Sequence, residues 1–487
     1  MNNYSSNNQI VFCKKFADAI FNECAAVFVG AGMSKPCGLP TWKELLQSPL
    51  EEIGLNVDKE TDLISVAQFY ANTKSRRSDL TQHTINLFTS KRAQPSEAHR
   101  LLASLPIKKI WTTNYDTLLE QAYAKQGKKI DVKRKSTDLC YPIPGSDVII
   151  NKMHGDISLA SEITLISEDY ESYHSKNELF SNNLKTDLAS KTFLFIGFSM
   201  SDPNILSTLG YMRERLNKHI RTHFCIYKNI QEDDYSNHSD FAYFRNREEL
   251  WIENLKRYGI EVVRINEYSE INNILRTIKK IILSKSVFIS GSAEVYETLS
   301  KEDGENFIHQ LAYKLAKNGY KIVSGFGLGV GSSVINGVLT RAYEEGQTID
   351  GKLICRPFPI NIKDPVEKKE KWKKYREDMI ALAGNAIFIF GNKRMTDTTA
   401  ERLNIVSADG MIEEFKIAQA QGLRLFPIGQ TGYTSRTLWG KVSEDMSLYY
   451  PTQDLQNEVQ IMNDIPLNHT EKLVDAIINC IQKSQPF

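Results

Sequence analysis

Residues 30–42, GAGMSKPCGLPTW, follow the apolar run AAVFV at 25–29, and their reading decides the first half of the chain. An apolar strand run ending in Gly-x-Gly brings backbone N–H groups to the edge of a parallel sheet, where nucleotide phosphates are held. The residues themselves exclude two familiar loops. A dinucleotide fingerprint G-x-G-x-x-G needs a third glycine where Lys35 stands, and no G-K-[ST] follows as a Walker A loop requires. GAGMS is therefore a tight turn or a nucleotide loop of another kind, and distant segments must decide.

Composition narrows the classes. A chain of 487 residues exceeds the size at which one hydrophobic core stops growing, so two or three domains are expected. Apolar residues at 41%, charged residues at 24% and a net charge of +1 are those of an ordinary globular protein. That balance gives no broad attraction for nucleic acid or an anionic membrane, and no apolar run is long enough to span a bilayer. The start MNNYSSNNQIVF lacks the pattern of a secretory signal, which predicts a cytoplasmic protein with a mobile tail over 2–9. The 7 cysteines are scattered without a C-x-x-C pair, so neither a zinc site nor any other metal is expected.

Short β-branched and aromatic runs alternate with helical-period segments along the whole chain, which predicts α/β architecture built on doubly wound parallel sheets. Strands are expected at 25–30, 107–113, 147–155, 191–199, 222–228 and 260–265. A second series falls at 286–292, 320–327, 352–359, 385–392 and 423–429. The helical stretch EINNILRTIKKIILSK separates the series, giving predicted domains 1–283 and 284–487.

Three further segments of the first half end in strand-terminal loops: TTNYD (112–116), KMHG (152–155) and GFSMSDPN (197–204). Strand carboxyl ends of an open parallel sheet face one crevice, so these segments can meet one ligand with the GAGMS loop. In that order and with GLP at 38–40, they resemble the NAD-consuming domain of the sirtuins. The resemblance implies NAD as substrate, Gly30, Ala31, Gly32 and Ser34 on the nucleotide loop, Asp116 near the ribose, and Gly197 and Ser199 at phosphate or ribose. It also implies Asn114 and His154 as the catalytic pair. An imidazole with an ordinary pKa near 6.5 can take a proton at neutral pH, and nicotinamide leaves neutral without a general acid. Sirtuin deacylases carry a four-cysteine zinc ribbon that this chain lacks, so water is the expected acceptor.

In the second half, SGFGLGVGSS (324–333) closes a strand and opens a helix, with glycines spaced for backbone approach to phosphate. With VFISGS (287–292), YREDMIALAGNAIFIFGNK (375–393) and ADGMIEEF (408–415), it resembles the lysine-decarboxylase-like phosphoribohydrolases and their SLOG relatives. Those enzymes pair an Arg with a Glu from P-G-G-x-G-T-x-x-E. Arg376 and Glu413 match here, while residues 392–409 replace the glycine core, which implies binding rather than hydrolysis. Gly291, Ser292, Gly327, Gly329, Arg376, Lys393 and Glu413 are the expected contacts.

A sirtuin-like half joined to a SLOG-like half resembles the NAD-depleting effectors of Thoeris anti-phage defence. That resemblance implies a bacterial cytoplasmic NAD hydrolase, tetrameric, switched on by a cyclic ADP-ribose isomer from a TIR-domain partner. Two other readings stay open. An NAD-dependent deacylase would release nicotinamide only with an acyl-lysine substrate, and a non-catalytic nucleotide sensor would leave NAD intact.

Overall fold

The computed structural model describes residues 2–73, 77–90, 92–359, 361–395 and 404–485. They form two compact units, Met1–Lys279 and Lys280–Phe487, and the division falls within the helix Glu270–Ser284.

In the first unit, β1 (Ala25–Val29), β2 (Lys109–Thr112), β3 (Ile130–Lys133), β4 (Val148–Lys152), β5 (Thr192–Ile196), β6 (His223–Lys228) and β7 (Ile260–Ile265) form one sheet. The order is β3-β4-β2-β1-β5-β6-β7, every pairing parallel. The central strands β1 and β5 are buried at every residue, which is why they read as unbroken apolar runs. From β1 the chain builds outward on one side, then returns to β5 and builds on the other. Between β1 and β5 the loops diverge and open a crevice. A core of Phe28, Trp111, Phe193 and Phe195 fills one side of the sheet. A separate cluster joins Leu46, Leu50, Val66 and Leu80, on the helices that follow the GAGMS loop, to Tyr115, Ile163 and Leu165.

The N-terminal segment is a helix from Asn2 to Phe21, not a mobile tail. Phe12, Phe16 and Ile20 are buried at helical spacing, and Gln9 Nε2 donates to Arg264 O at 2.9 Å, so the packed turns carry the helix back toward its start.

The second unit carries β8 (Ser286–Ser292), β9 (Lys321–Ser324), β10 (Leu353–Cys355), β11 (Asn385–Phe390), β12 (Asn392–Met395), β13 (Asn404–Ser407) and β14 (Arg424–Pro427). Its parallel sheet runs β10-β9-β8-β11-β14, and its crevice lies between β8 and β11. The pair β12–β13 is a small antiparallel ladder that the sequence reading did not anticipate. Residues 396–403, within the stretch that replaces the glycine core, lie outside the described residues.

Candidate active site

The GAGMS loop is locked to the end of β5. Gly32 N donates to Gly197 O and Gly30 N to Ile196 O, each at 2.9 Å. A Cβ on Gly30 would lie 2.4 Å from Gly197 O, and one on Gly197, at φ +63°, would lie 2.4 Å from Met33 N. These positions are glycine because two backbones touch there. The loop then runs through 3₁₀ turns to Thr41, which caps the helix Trp42–Glu52 in a reciprocal box with Glu44.

Next to it, Thr112 ties the strands together: its Oγ1 donates to Val29 O at 2.9 Å and accepts from Asn114 N at 3.0 Å. Asn114 is buried, with Nδ2 donating to Gly30 O (3.2 Å) and Ser34 Oγ (3.0 Å). Ser34 in turn donates to Asp116 Oδ2 at 2.7 Å, and Asp116 Oδ1 accepts from Leu118 N at 2.9 Å. The Gly30 carbonyl demands a donor, which fixes the amide's orientation. The Asn114 oxygen is left buried without a partner, an acceptor that this network does not use.

His154 follows β4 and is buried between Tyr170 and Tyr173, whose rings stand edge-on at 5.4 and 6.2 Å. Its Nε2 lies 3.2 Å from Asp202 Oδ2, but the N–H direction misses a hydrogen bond, so the contact is electrostatic at rest. Burial pushes the imidazole below its ordinary pKa of 6.5, opposed by the Asp202 and Asp169 carboxylates. At neutral pH the ring is therefore neutral and able to accept a proton. Asp202 also caps the helix Pro203–Leu216, its Oδ1 accepting from Asn204 N and Ile205 N at 3.0 and 3.1 Å.

One cavity of about 890 Å³ joins these groups. Ala31, Gly32, Ser34, Asn114, Asp116, His154, Gly197 and Ser199 all line it, together with Asp202, Trp42 and Phe88, and its far end reaches Lys228 and Tyr268 past β6 and β7. Gly30 stands behind the lining and supplies its carbonyl to Asn114. Ser199 Oγ pairs with Ser201 Oγ at 2.6 Å. The residue that sequence reasoning missed is Asp202. An Asp before Pro at a helix start is fully explained as a cap, so its second duty toward His154 leaves no sequence signal.

In the second unit a cavity of about 320 Å³ is lined by Gly291, Gly327, Phe326, Phe358 and Glu414. Gly327 packs so tightly on β8 that a Cβ would lie 1.9 Å from Gly291 O. Arg376 lies over the Phe358 ring at 4.9 Å, with Nη1 2.8 Å from Glu413 and Nε 3.4 Å from Glu414. Glu414 is the carboxylate on the cavity, and Ser290 Oγ donates to it at 2.6 Å. Burial pushes its pKa up, against the pull of Ser290 and Arg376. Glu414 was overlooked, though it stands four residues beyond Gly410, the spacing of the G-T-x-x-E motif. Ser292 Oγ donates to Asn392 O, and Lys393, on exposed β12, pairs with Asp409 at 3.0 Å. Neither lines the cavity, nor do Arg376 and Glu413, nor Gly329, which accepts from the Tyr296 hydroxyl beside it.

Comparison with known proteins agrees in the order of the two halves. Residues 108–263 match the SIR2-like domain, and residues 270–484 match the Sir2- and TIR-associating SLOG family. The chain is 40% identical over 476 residues to NAD(+) hydrolase ThsA of Bacillus cereus (strain MSX-D12), covering 97% of this chain and 98% of that protein. It is 41% identical over 482 residues to the ThsA of Cytobacillus dafuensis, covering 97% and 96%. For the Enterococcus faecium ThsA the identity is 40% over 486 residues, covering 98% and 99%. Similarity of this extent across both halves means that the chain belongs to the ThsA family.

Proposed function

We propose that the first unit hydrolyses NAD⁺ to ADP-ribose and nicotinamide, and that a cyclic ADP-ribose isomer bound by the second unit switches this activity on. The observation that carries the hydrolase reading is that Asn114, whose carboxamide oxygen has no partner in the protein, and a neutral His154 line one cavity. The relatives' name, NAD(+) hydrolase, agrees with it.

In this mechanism the Asn114 oxygen accepts from the attacking water or a ribose hydroxyl. As the C1′–N bond breaks, its electron pair goes to the pyridinium nitrogen and positive charge develops on the ribose. The carboxylates of Asp116 and Asp202 lie on the cavity wall where they stabilise that charge. Water adds to C1′ and gives its proton to His154. The Asp202 carboxylate faces Nε2 and favours the ring proton there, so Nδ1 is the nitrogen that takes the proton.

In the second unit, Arg376 supplies a planar fork for phosphate and the glycine loop brings backbone N–H groups close. A switch from about 1:99 to 99:1 requires about 5.5 kcal/mol of differential binding. A tetramer, with signal contacts from several subunits, would provide it. The signal comes from a TIR-domain partner in anti-phage defence, and the protein acts in the bacterial cytoplasm.

The test is chromatography of NAD⁺ incubated with purified protein, with and without cyclic ADP-ribose isomers, for wild type and His154→Ala. Nicotinamide is expected only from wild type with signal. Equal release by His154→Ala overturns the catalytic assignment, and release that ignores every isomer overturns the switch.

A further inference from the structure

Lys152 ends β4, pairs in register with Thr112 of β2, and is fully buried, a costly place for an ammonium. Its Nζ points past the strand end into a ring of oxygens. It donates to Tyr115 O at 3.2 Å, to Asp116 O at 2.5 Å, to Glu120 Oε1 at 3.2 Å, and to the Asp156 carboxylate. Two of these acceptors are main-chain carbonyls of the segment that carries Asn114 and Asp116. Asp156 closes the turn around His154 and is itself held by Ser158 N and Oγ, with Arg134 Nε 3.5 Å away. Burial alone would raise the Asp156 pKa, but the Lys152 charge and the Ser158 bonds hold it below the ordinary carboxylate value.

We propose that Lys152 is a positioning residue: its ammonium pins the Tyr115–Asp116 carbonyls to the His154 turn, and so sets the spacing between the Asn114 carboxamide and the imidazole. Stability alone does not account for it, because buried ion pairs replaced by apolar side chains of similar size are often no less stable. A methionine would fill the same channel. What it would not do is hold two carbonyl oxygens, from another loop, at a fixed distance from the base. The inference rests on the hydrolase reading above, since the spacing matters only if both groups meet one glycosidic carbon.

The test is steady-state nicotinamide release by the full chain, with and without cyclic ADP-ribose isomers, comparing wild type, Lys152→Met and Lys152→Met/Asp156→Asn. The double variant leaves no unpaired Asp156 carboxylate in the core and is the one read if the single variant does not fold. A displaced reacting group costs on the order of 10²-fold in rate, so kcat per folded molecule should fall by about that factor while KM stays within about threefold. A purely structural lysine would lower the yield or the melting temperature and leave kcat per folded molecule at the wild-type value, which overturns the proposal. An inactive wild type overturns the hydrolase reading and this inference with it. An active wild type alongside equally active lysine variants overturns this inference alone.

Discussion

Replacing Asp202 by asparagine changes one atom type at the group that faces the His154 imidazole, proposed above as the base, and the structure dictates which way the new amide must point. Oδ1 of Asp202 accepts from Asn204 N and Ile205 N, two donors that only an oxygen can satisfy. The amide oxygen of the Asp202→Asn side chain is therefore kept on the helix cap, and its NH₂ is turned toward His154 Nε2, where Oδ2 now lies at 3.2 Å. With amide hydrogens facing it in place of a carboxylate, Nε2 is favoured without its proton, and the ring proton moves to Nδ1. The base is then in the wrong tautomer. General-base loss of this kind costs between about 10² and 10⁴ in kcat, or about 2.7–5.4 kcal/mol of transition-state stabilisation. The cap survives, so the unfolding free energy should change by less than about 1 kcal/mol. The assay is kcat for nicotinamide release from pH 5 to 9, beside thermal unfolding. Wild-type activity should fall on the acid side as His154 protonates, below its ordinary value of 6.5 because burial outweighs the two carboxylates. Removing one of those carboxylates lowers the imidazole pKa further and moves the residual acid limb to lower pH. A variant that keeps kcat within about threefold of wild type with an unmoved limb refutes the argument that Asp202 orients the base.

Three further outcomes follow from the geometry. Gly197→Ala puts a Cβ 2.4 Å from Met33 N at φ +63°, which should cost roughly 1–3 kcal/mol and abolish NAD⁺ binding; wild-type melting and turnover would show that the two loops are not locked together. Buried His223 is driven from 6.5 to about 4, so between those values the unfolded chain binds more protons. Stability from this residue is present above pH 6.5 and lost as pH falls toward 4, about 3 kcal/mol in all. Amide exchange along β6 should quicken across that window in wild type and less so in His223→Gln; identical profiles would dismiss the assignment. In the second unit, Arg376→Ala or Glu414→Gln should remove the response to cyclic ADP-ribose isomers while NAD⁺ binding by the first unit is retained; a full response in both variants removes that site from the switch.

The sequence is most legible where burial is two-sided. Strands β1, β5 and β11 sit inside their sheets and are apolar almost throughout, so their positions and the loops they end in can be read directly. β3 escapes because its IDVK alternates, and its buried polar residues, Asp131 and Lys133, form an ion pair at 2.9 Å at the sheet edge. The main site was legible as four separate strand ends, because a parallel sheet brings its carboxyl ends together whatever their distance along the chain. The partners of those residues were not. Lys152 reads as an ordinary strand-end lysine, and only the folded chain reveals the four oxygens around it. The reading of Asn114 also sharpened: both amide hydrogens are spent on the protein, so only its oxygen is left without a partner.

The backbone-to-backbone lock between the GAGMS loop and Gly197 has a mechanical corollary. A floor in which neither loop has room for so much as a methyl group cannot flex to admit or expel a nucleotide. The opposite wall is different, for Trp42, Ile64 and Phe88 belong to helices held by an apolar cluster that also takes in Tyr115, Ile163 and Leu165. Any widening of the chamber therefore falls to that wall, where side chains and not two backbones meet.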